Sequence, residues 1–328
     1  MDAPTVDQRR QWAERLGDDD LAHGVASSLA CLHTTDGRAP RRPADLTGWA
    51  RVVTWNVQRG PRPLDVAARL HASGADIALL SELDSGMART GNADVAACVA
   101  AALGDDYGYS YGAEFVELGL GDHRERACAG VDDENARGLH GNAVVARTTL
   151  ADPAVARLDA GTRWFGRDSP EPRLGGRMAV LVTLVLNGTA VRVVSTHLEN
   201  WADPVARAGQ FETLLDALGP GPALVGGDLN TFGTGFDEIL DRPLVRRLHA
   251  TDPERFVWPV AYEPLFAAAA ARGFRWEEAN LAAPTTSHGP LKLDWLLARG
   301  LEVCAPAVID AAGLSDHHLV AASVRVQP

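Results

Sequence analysis

The chain has no long apolar run and no recognisable export signal, and both absences restrict where it functions. Among its 328 residues, no segment approaches the length of a membrane-spanning helix. Residues 1–4 begin no basic segment followed by an apolar stretch, which is the pattern of a secretory signal. We therefore expect a soluble protein with no membrane span and a cytoplasmic location.

The chain is also poor in cysteine, which argues against a zinc site and against a disulfide framework. Its four cysteines lie far apart and form no Cys-x-x-Cys pair: Cys31, Cys98, Cys128 and Cys304. Clustered cysteines are needed for structural zinc, and disulfide-rich frameworks belong to small secreted domains. Reduced thiols are the expectation.

Basic residues are scarce relative to acidic ones. The sequence has 31 Lys and Arg against 43 Asp and Glu, a formal net charge of −12. Proteins that hold nucleic acids through their phosphates usually carry a basic face, and the net field of this chain repels a polyanion. The charge therefore disfavours DNA or RNA as a partner, although a local basic groove would still permit a nuclease.

The most informative stretch that is present is VGGDLN at residues 225–230. The apolar residues 223–225 followed by glycines are typical of a buried strand that ends at a sheet edge. Side chains alternate along extended backbone, so Asp228 and Asn230 are expected on one face, pointing into one site. For this motif alone, an ordinary strand end followed by an Asx turn is an equally good interpretation.

Three further stretches place polar side chains at the ends of predicted strands. Asn56 is the only strongly polar residue in the β-rich segment 52–57, and Glu82 ends the apolar segment 77–82. Ser-Asp-His, with Asp316 and His317, stands directly before the final predicted strand. The order of the motifs, Trp-Asn, Ser-Glu, Gly-Asp-Leu-Asn and Ser-Asp-His, resembles the endonuclease/exonuclease/phosphatase superfamily, which includes the DNase I-like nucleases.

This resemblance covers roughly residues 50–328 and implies an α/β fold, a four-layer α/β/β/α sandwich of two mixed β-sheets. The alternation of predicted strands and helices supports the same architecture. We expect two regions, a helical extension and linker at residues 1–48 and a catalytic domain at residues 49–328. Residues 237–280 are expected to form a mostly helical insertion.

The resemblance implies a divalent-metal-dependent hydrolase. Glu82 is the first candidate for a metal ligand, with Asn56 and Asp316 nearby. Oxygen ligands without soft ones favour Mg²⁺, with Mn²⁺ as a possible substitute. Gln58 stands where many family members carry an acid, which leaves open whether one or two metal ions bind.

Five residues are candidates for catalysis. Asp228, fixed by Asn230, would orient or deprotonate water, and His317, oriented by Asp294, would stabilise phosphoryl oxygens or act as base. His197 resembles the family histidine near the scissile phosphate, although a histidine at a strand end is often structural.

Two residues are candidates for substrate binding, each with a structural alternative. Arg177 matches a phosphate-contacting arginine of some family nucleases, or it is a solvent-side strand residue. Asn142 resembles the family Gly-Asn-Ala segment, or it is a buried strand-end amide. Residues 161–176 interleave arginine with aromatic residues, which suits a phosphorylated or planar ligand but also an ordinary loop with a buried tryptophan.

The function expected from these observations is hydrolysis of a phosphodiester or phosphomonoester of a small molecule or lipid headgroup. A nuclease shares the chemistry but requires a basic groove. A third possibility is the same fold used for non-phosphoryl chemistry or for binding alone, because a fold does not determine a reaction.

Overall fold

The computed structural model describes residues 1–130, 133–158 and 161–326. Its strands, in chain order, are β1 (Thr35–Arg38), β2 (Ala50–Arg59), β3 (Ile77–Ser85), β4 (Gly108–Glu117), β5 (Leu139–Ala146), β6 (Ala151–Arg157), β7 (Arg173–Gly175), β8 (Met178–Leu186), β9 (Thr189–His197), β10 (Ala223–Asp228), β11 (Asp294–Arg299), β12 (Leu301–Ile309) and β13 (Leu319–Val326). Its α-helices are α1 (Val6–Ala13), α2 (Asp19–Ser28), α3 (Pro63–Ala72), α4 (Val95–Leu103), α5 (His123–Cys128), α6 (Pro204–Leu218), α7 (Phe236–Leu240), α8 (Arg242–Thr251), α9 (Glu254–Val257) and α10 (Leu265–Ala271).

The strands form two mixed sheets. In the first the order is β1-β4-β5-β3-β2-β13-β12, with β7 paired to β4, and in the second it is β11-β10-β9-β8-β6. The pairs β2–β3 and β9–β10 are parallel and the remaining pairs are antiparallel. The parallel pairs matter for the site, because their carboxyl ends lie at the same end of the molecule.

Three apolar layers show that the two sheets pack face to face with helices outside. The central layer joins side chains of both sheets, for example Val52 and Leu224. A second layer packs the first sheet against α3 and α4, and a third packs the second sheet against α6 and α10. The fold is therefore the predicted four-layer α/β sandwich.

Local signals in the sequence account for several elements. Asp203 caps α6 by accepting a hydrogen bond from the backbone N–H of Ala206 at 2.8 Å, directly before a proline at the first helical position. The β8–β9 hairpin turns at Asn187 and Gly188, whose φ values are 52° and 77°, as the Asn-Gly signal predicts. The insertion is mostly helical, as predicted, and contains α7 to α10.

The first 48 residues contribute to the body of the molecule. Strand β1 pairs with β4 at one edge of the first sheet, and Cys31 and Leu32 are buried in the apolar layer outside that sheet. All four cysteines lie within the described residues and are free thiols. The proposed boundary between residues 48 and 49 stays a prediction. In the described ranges, no helix has the length and apolar character that crossing a bilayer requires.

Candidate active site

The sequence motifs meet at one end of the two sheets. Asn56 lies near the end of β2 and Glu82 near the end of the parallel strand β3. In the second sheet, Asp228 is paired with His197 on β9 and with Asp294 on β11. Together with the segment before β13, these strand ends surround a cavity of about 330 Å³.

Backbone that departs from regular strand geometry aims several of these side chains. Four non-glycine residues of the cavity lining have positive φ: Gln58 at 47°, Arg59 at 72°, Glu82 at 56° and Asn230 at 50°. Left-handed backbone is unfavourable for residues with a Cβ and is found preferentially at functional sites. The pairing of β2 with β3 is also irregular between Asn56 and Arg59.

Asp228 and Asn230 both line the cavity, but not for the reason that the sequence suggested. Strand β10 ends at Asp228, and the positive φ of Asn230, rather than alternation along a strand, brings its side chain back to the site. The backbone N–H of Asn230 donates to Asp228 Oδ1 at 3.0 Å, which is an Asx turn. The two interpretations left open for this motif are therefore compatible.

His317 and Asp294 form a buried hydrogen-bonded pair. His317 Nδ1 lies 2.8 Å from Asp294 Oδ2, and its Nε2 lies 3.7 Å from Asp228 Oδ2. Burial alone would lower the pKa of His317, but the carboxylates of Asp294 and Asp228 outweigh it and hold that pKa well above its usual value. His317 is therefore a cation at neutral pH, with Nε2 directed toward Asp228.

Asp228 is the centre of the cluster. Its Oδ2 accepts a hydrogen bond from Asn56 Nδ2 at 3.1 Å and lies 3.5 Å from His197 Nε2. Burial raises the pKa of Asp228 to about 6, with Asp294 adding to this effect and His317 opposing it. A carboxylate with that pKa is ionised at pH 7 and still basic enough to accept a proton.

His197 has the opposite charge state from His317. Burial, together with the Arg177 guanidinium, holds the pKa of His197 well below its usual value. Its Nδ1 atom is buried without a hydrogen-bond partner among the described residues. His197 therefore lies at the site as a neutral imidazole, which offers one N–H donor and one acceptor nitrogen.

Glu82 lies across the cluster from the His317–Asp294 pair. Its Oε1 accepts from Asn56 Nδ2 at 3.0 Å and its Oε2 from Arg59 at 2.9 Å. Although burial opposes it, the Arg59 guanidinium holds the pKa of Glu82 well below its usual range. Asp316 is half-buried, and its backbone N–H donates to Gln58 Oε1 at 3.2 Å.

The donor set fits a hard divalent cation. Carboxylates outnumber arginines in the cavity lining, with Glu82, Asp122, Glu125, Glu171, Asp228 and Asp316 against Arg59, Arg173 and Arg177. An acid excess of this kind repels a phosphate and attracts a hard divalent cation, for which Glu82 and Asp316 stay the predicted oxygen ligands. The Oδ1 atom of Asn56, the third predicted ligand, accepts from the Gln58 backbone N–H at 3.0 Å, and its role at the metal site stays a prediction.

A second group of possible ligands consists of Asp228, Asp294 and His317, whose ligand atoms lie within 4.8 Å of one another. We disfavour it as a metal centre because His317 Nδ1 is already hydrogen-bonded to Asp294 at 2.8 Å, so two of its three members are engaged with each other.

The two predicted substrate-binding residues lie at different depths. Arg177 lines the cavity and pairs with Glu114 and Glu199, each at 3.3 Å. Asn142 is fully buried, does not line the cavity, and donates to Glu114 Oε1 at 3.1 Å. Asn142 thus contacts a partner of Arg177, and the substrate contacts of both residues stay predictions.

Sequence reasoning missed a buried network of arginines and carboxylates beneath the cavity. Arg59 and Arg89 both pair with Glu171, and Arg89 also pairs with Asp84 at 2.8 Å. Asp84 Oδ1 in turn lies 2.9 Å from Nδ1 of His140, a cavity-lining histidine. The sequence signal was weak, because Arg59 and Glu171 stand 112 positions apart in segments that read as loops.

Comparison with known proteins identifies the family of the chain. The chain belongs to the endonuclease/exonuclease/phosphatase family, whose model matches residues 53–317. Members of this family are hydrolytic enzymes, among them nucleases and phosphatases. A search of curated proteins found no significant match.

Several solved structures share the fold. An endonuclease/exonuclease/phosphatase from Beutenbergia cavernae DSM 12333 is 20% identical with a TM-score of 0.60, covering 85% of this chain and 72% of that one. The human nocturnin catalytic domain, solved with a bound sulfate anion, is 17% identical with a TM-score of 0.54, covering 89% and 97%. A mannosyl-6-phosphatase of Bacteroides thetaiotaomicron VPI-5482 is 15% identical with a TM-score of 0.52, covering 84% and 99%.

Proposed function

We propose that the protein is a divalent-metal-dependent phosphoesterase that hydrolyses a phosphomonoester or phosphodiester of a small molecule or lipid headgroup. The observation that carries the proposal is the position of Asp228. Its carboxylate lies between the protonated His317 and the neutral His197, at 3.7 and 3.5 Å, while Asn56 links it to Glu82. Hydrolysis of a phosphate ester requires such a base beside donors for the phosphoryl oxygens.

In this proposal, Asp228 orients water and accepts its proton as the water oxygen attacks phosphorus. The His317 imidazolium, held by Asp294, stabilises the negative charge that spreads over the phosphoryl oxygens. Neutral His197 donates a hydrogen bond to the same group. Mg²⁺ or Mn²⁺, held by Glu82 and Asp316, would neutralise charge on the phosphate and on the leaving oxygen.

The cavity lining favours a small substrate over a nucleic acid. Each cavity-lining arginine is paired with at least one carboxylate, so those arginines leave little positive charge for a polyanion backbone. A nuclease is therefore the alternative, and plasmid cleavage under the same conditions tests it. The cytoplasmic location and the oligomeric state stay outside this proposal.

The test is hydrolysis of bis-p-nitrophenyl phosphate and p-nitrophenyl phosphate with and without Mg²⁺ or Mn²⁺. We expect metal-dependent turnover that falls at least ~10³-fold in Asp228→Ala, because the catalytic base is lost. Asp65→Ala, on the exposed face of α3, is the control and should retain full activity. Asp228→Ala activity within tenfold of wild type, with an unchanged melting temperature, would contradict the mechanism.

A further inference from the structure

A second cavity of about 300 Å³ opens beside the catalytic one. Its lining comes from the segment between β6 and β7 and from the start of the β9–α6 connection: Arg163, Trp164, Gly166, Arg167, Asp168, Ser169, Pro170 and Trp201. Trp164 also lines the catalytic cavity, and Asn200, which precedes Trp201, does so as well. The two cavities are therefore adjacent and share one indole ring as a wall.

A hydrogen bond and a cation–π contact fix the Trp164 ring on the side of the catalytic cavity. Trp164 Nε1 donates to Glu199 Oε2 at 2.8 Å, and the Arg173 guanidinium carbon lies 3.8 Å from the indole centroid. Glu199 also accepts from Arg177, so the wall is attached to the residues that line the catalytic site. On the other side, Trp164 meets Trp201 edge to face at 5.6 Å between centroids.

The second cavity differs from the catalytic one in whether its arginines are paired with carboxylates. Among the described residues, Arg163 and Arg167 have no carboxylate within 4.0 Å, whereas Arg59, Arg173 and Arg177 are all ion-paired. Arg163 is held instead by stacking on Trp201, with 3.6 Å from its guanidinium carbon to the ring centroid.

The second arginine is supported by the amino-terminal region. The stem of Arg167 lies against Gly17, where a Cβ would be 3.3 Å from Arg167 Cγ, and the backbone N–H of Gly17 donates to the Phe165 carbonyl at 2.8 Å. Among the described residues of the lining, Asp168 is the one acid, and it opposes an anion. Arg163 and Arg167 outnumber it, so this described lining keeps an unneutralised positive charge in a chain of net charge −12.

We propose that the second cavity binds a second phosphate group, carried by the leaving group of the substrate, through Arg163 and Arg167. This inference rests on the proposed function and narrows its substrate to small molecules with two phosphates. Guanidinium groups offer several N–H donors in a fixed plane, which matches the three oxygens of a terminal phosphate. Because the two cavities share Trp164 as a wall, one small molecule with two phosphates can enter both.

A series of alkanediol bisphosphates measures this separation directly. Propane-1,3-diol, hexane-1,6-diol and decane-1,10-diol bisphosphates are compared with hexyl phosphate by release of inorganic phosphate. We expect one chain length to exceed hexyl phosphate at least tenfold in kcat/KM. In Arg163→Gln/Arg167→Gln, that advantage should disappear through a higher KM, while kcat/KM for hexyl phosphate stays unchanged.

Arg246→Gln is the matched control, because Arg246 is an exposed arginine on α8 and does not line either cavity. Equal kcat/KM for hexyl phosphate and for every bisphosphate in the wild type would overturn the proposal. So would an equal loss on both substrate types in the double variant.

Failure of the proposed function is distinguishable from failure of the subsite. If the wild type hydrolyses no phosphate ester with either metal, calorimetric titration with hexane-1,6-diol bisphosphate still measures binding. Affinity that falls at least tenfold in the double variant but not in Arg246→Gln supports the second anion site. Affinity unchanged by the double substitution overturns it.

Discussion

Nη1 of Arg59 lies 2.9 Å from Oε2 of Glu82, the residue that the family resemblance selects as the first metal ligand. Arg59 is itself held by Glu171, whose two carboxylate oxygens accept from its Nη2 at 3.1 and 2.9 Å. One ligand oxygen of Glu82 is thus occupied by a fixed cation of the protein. A metal ion that binds Glu82 through Oε2 must share that oxygen with Arg59 or displace it.

This competition predicts that Arg59→Gln binds divalent metal more tightly than the wild type. Removing the guanidinium frees Glu82 Oε2 and leaves one positive charge fewer beside the site. We expect the dissociation constant for Mn²⁺ to fall roughly tenfold, about 1.4 kcal/mol. Loss of the electron paramagnetic resonance signal of free Mn²⁺ measures this without any substrate.

Arg177→Gln separates direct competition from a general change in charge. Arg177 also lines the cavity, but its ion pairs are with Glu114 and Glu199 rather than with Glu82. A smaller gain in Mn²⁺ affinity in Arg177→Gln is expected. Equal gains in the two variants would show that net charge alone controls metal affinity.

The His317–Asp294 pair leads to a second prediction. Asp294 accepts from His317 and raises its pKa, so Asp294→Asn should leave an imidazole that is less basic and less well oriented. We expect kcat to fall by ~10²–10⁴ with little change in KM, measured on p-nitrophenyl phosphate. Retention of more than half the wild-type kcat would refute the role of the pair.

Asp122→Asn is a suitable comparison for that variant. Asp122 lines the same cavity, but its side chain caps α5 by accepting from the backbone N–H groups of Arg124 and Glu125. Asn caps helices about as well as Asp, so this variant should keep its helix stability and change kcat less than tenfold.

Much of the fold and the positions of the main motifs were predictable, because their signals are local. Asp203 before a proline, the Asn187-Gly188 turn and apolar runs ending in polar residues each specify their structure within a few positions. The parallel pairing of β2 with β3, which no local signal specifies, then brings Asn56 and Glu82 together.

The charge states were not predictable, because they depend on pairs that form only in the folded chain. Sequence reasoning placed His197 and His317 at the site without fixing the charge of either. Burial with Arg177 beside the first, and Asp294 beside the second, give them opposite charges. Sequence reasoning also missed Lys292, the single lysine of the chain, which is fully buried. Its Nζ donates to the Asp294 carbonyl at 3.3 Å, and burial lowers its pKa to about 7.

The pKa of Asp228 predicts the acidic limb of the pH profile. The base must be ionised in the free enzyme, and burial raises its pKa to about 6. We expect kcat/KM to fall about tenfold for each pH unit below that value, since the deprotonated fraction falls in this way. The carboxylates of Asp294 and Asp228 hold the pKa of His317 well above its usual value, so His317 stays protonated over this range. A kcat/KM that is constant between pH 5 and 7 at saturating metal would contradict Asp228 as the base.

The last prediction concerns stability and contrasts Glu117 and Glu171, two buried glutamates that both pair with Arg173. Burial and the neighbouring Glu171 raise the pKa of Glu117 to about 8, whereas Arg173, Arg59 and Arg89 hold the pKa of Glu171 well below its usual range despite its burial. Glu117 is therefore protonated in the folded protein at pH 7, while Glu171 is ionised.

Between pH 4.5 and about 8, the folded state retains a proton on Glu117 that the unfolded state has lost. The stability contributed by that proton is fully present below pH 4.5 and decreases as pH rises through this window, by up to about 1.4 kcal/mol per unit. Glu117→Gln mimics the protonated acid and removes this dependence. In urea titrations, the free energy of unfolding of Glu117→Gln should rise relative to that of the wild type between pH 5 and 8.

Glu171→Gln should instead be destabilised by about 3–5 kcal/mol at pH 7, because the arginines around it lose a buried counter-charge. Equal effects of the two substitutions at pH 7 would show that the two carboxyls share one charge state.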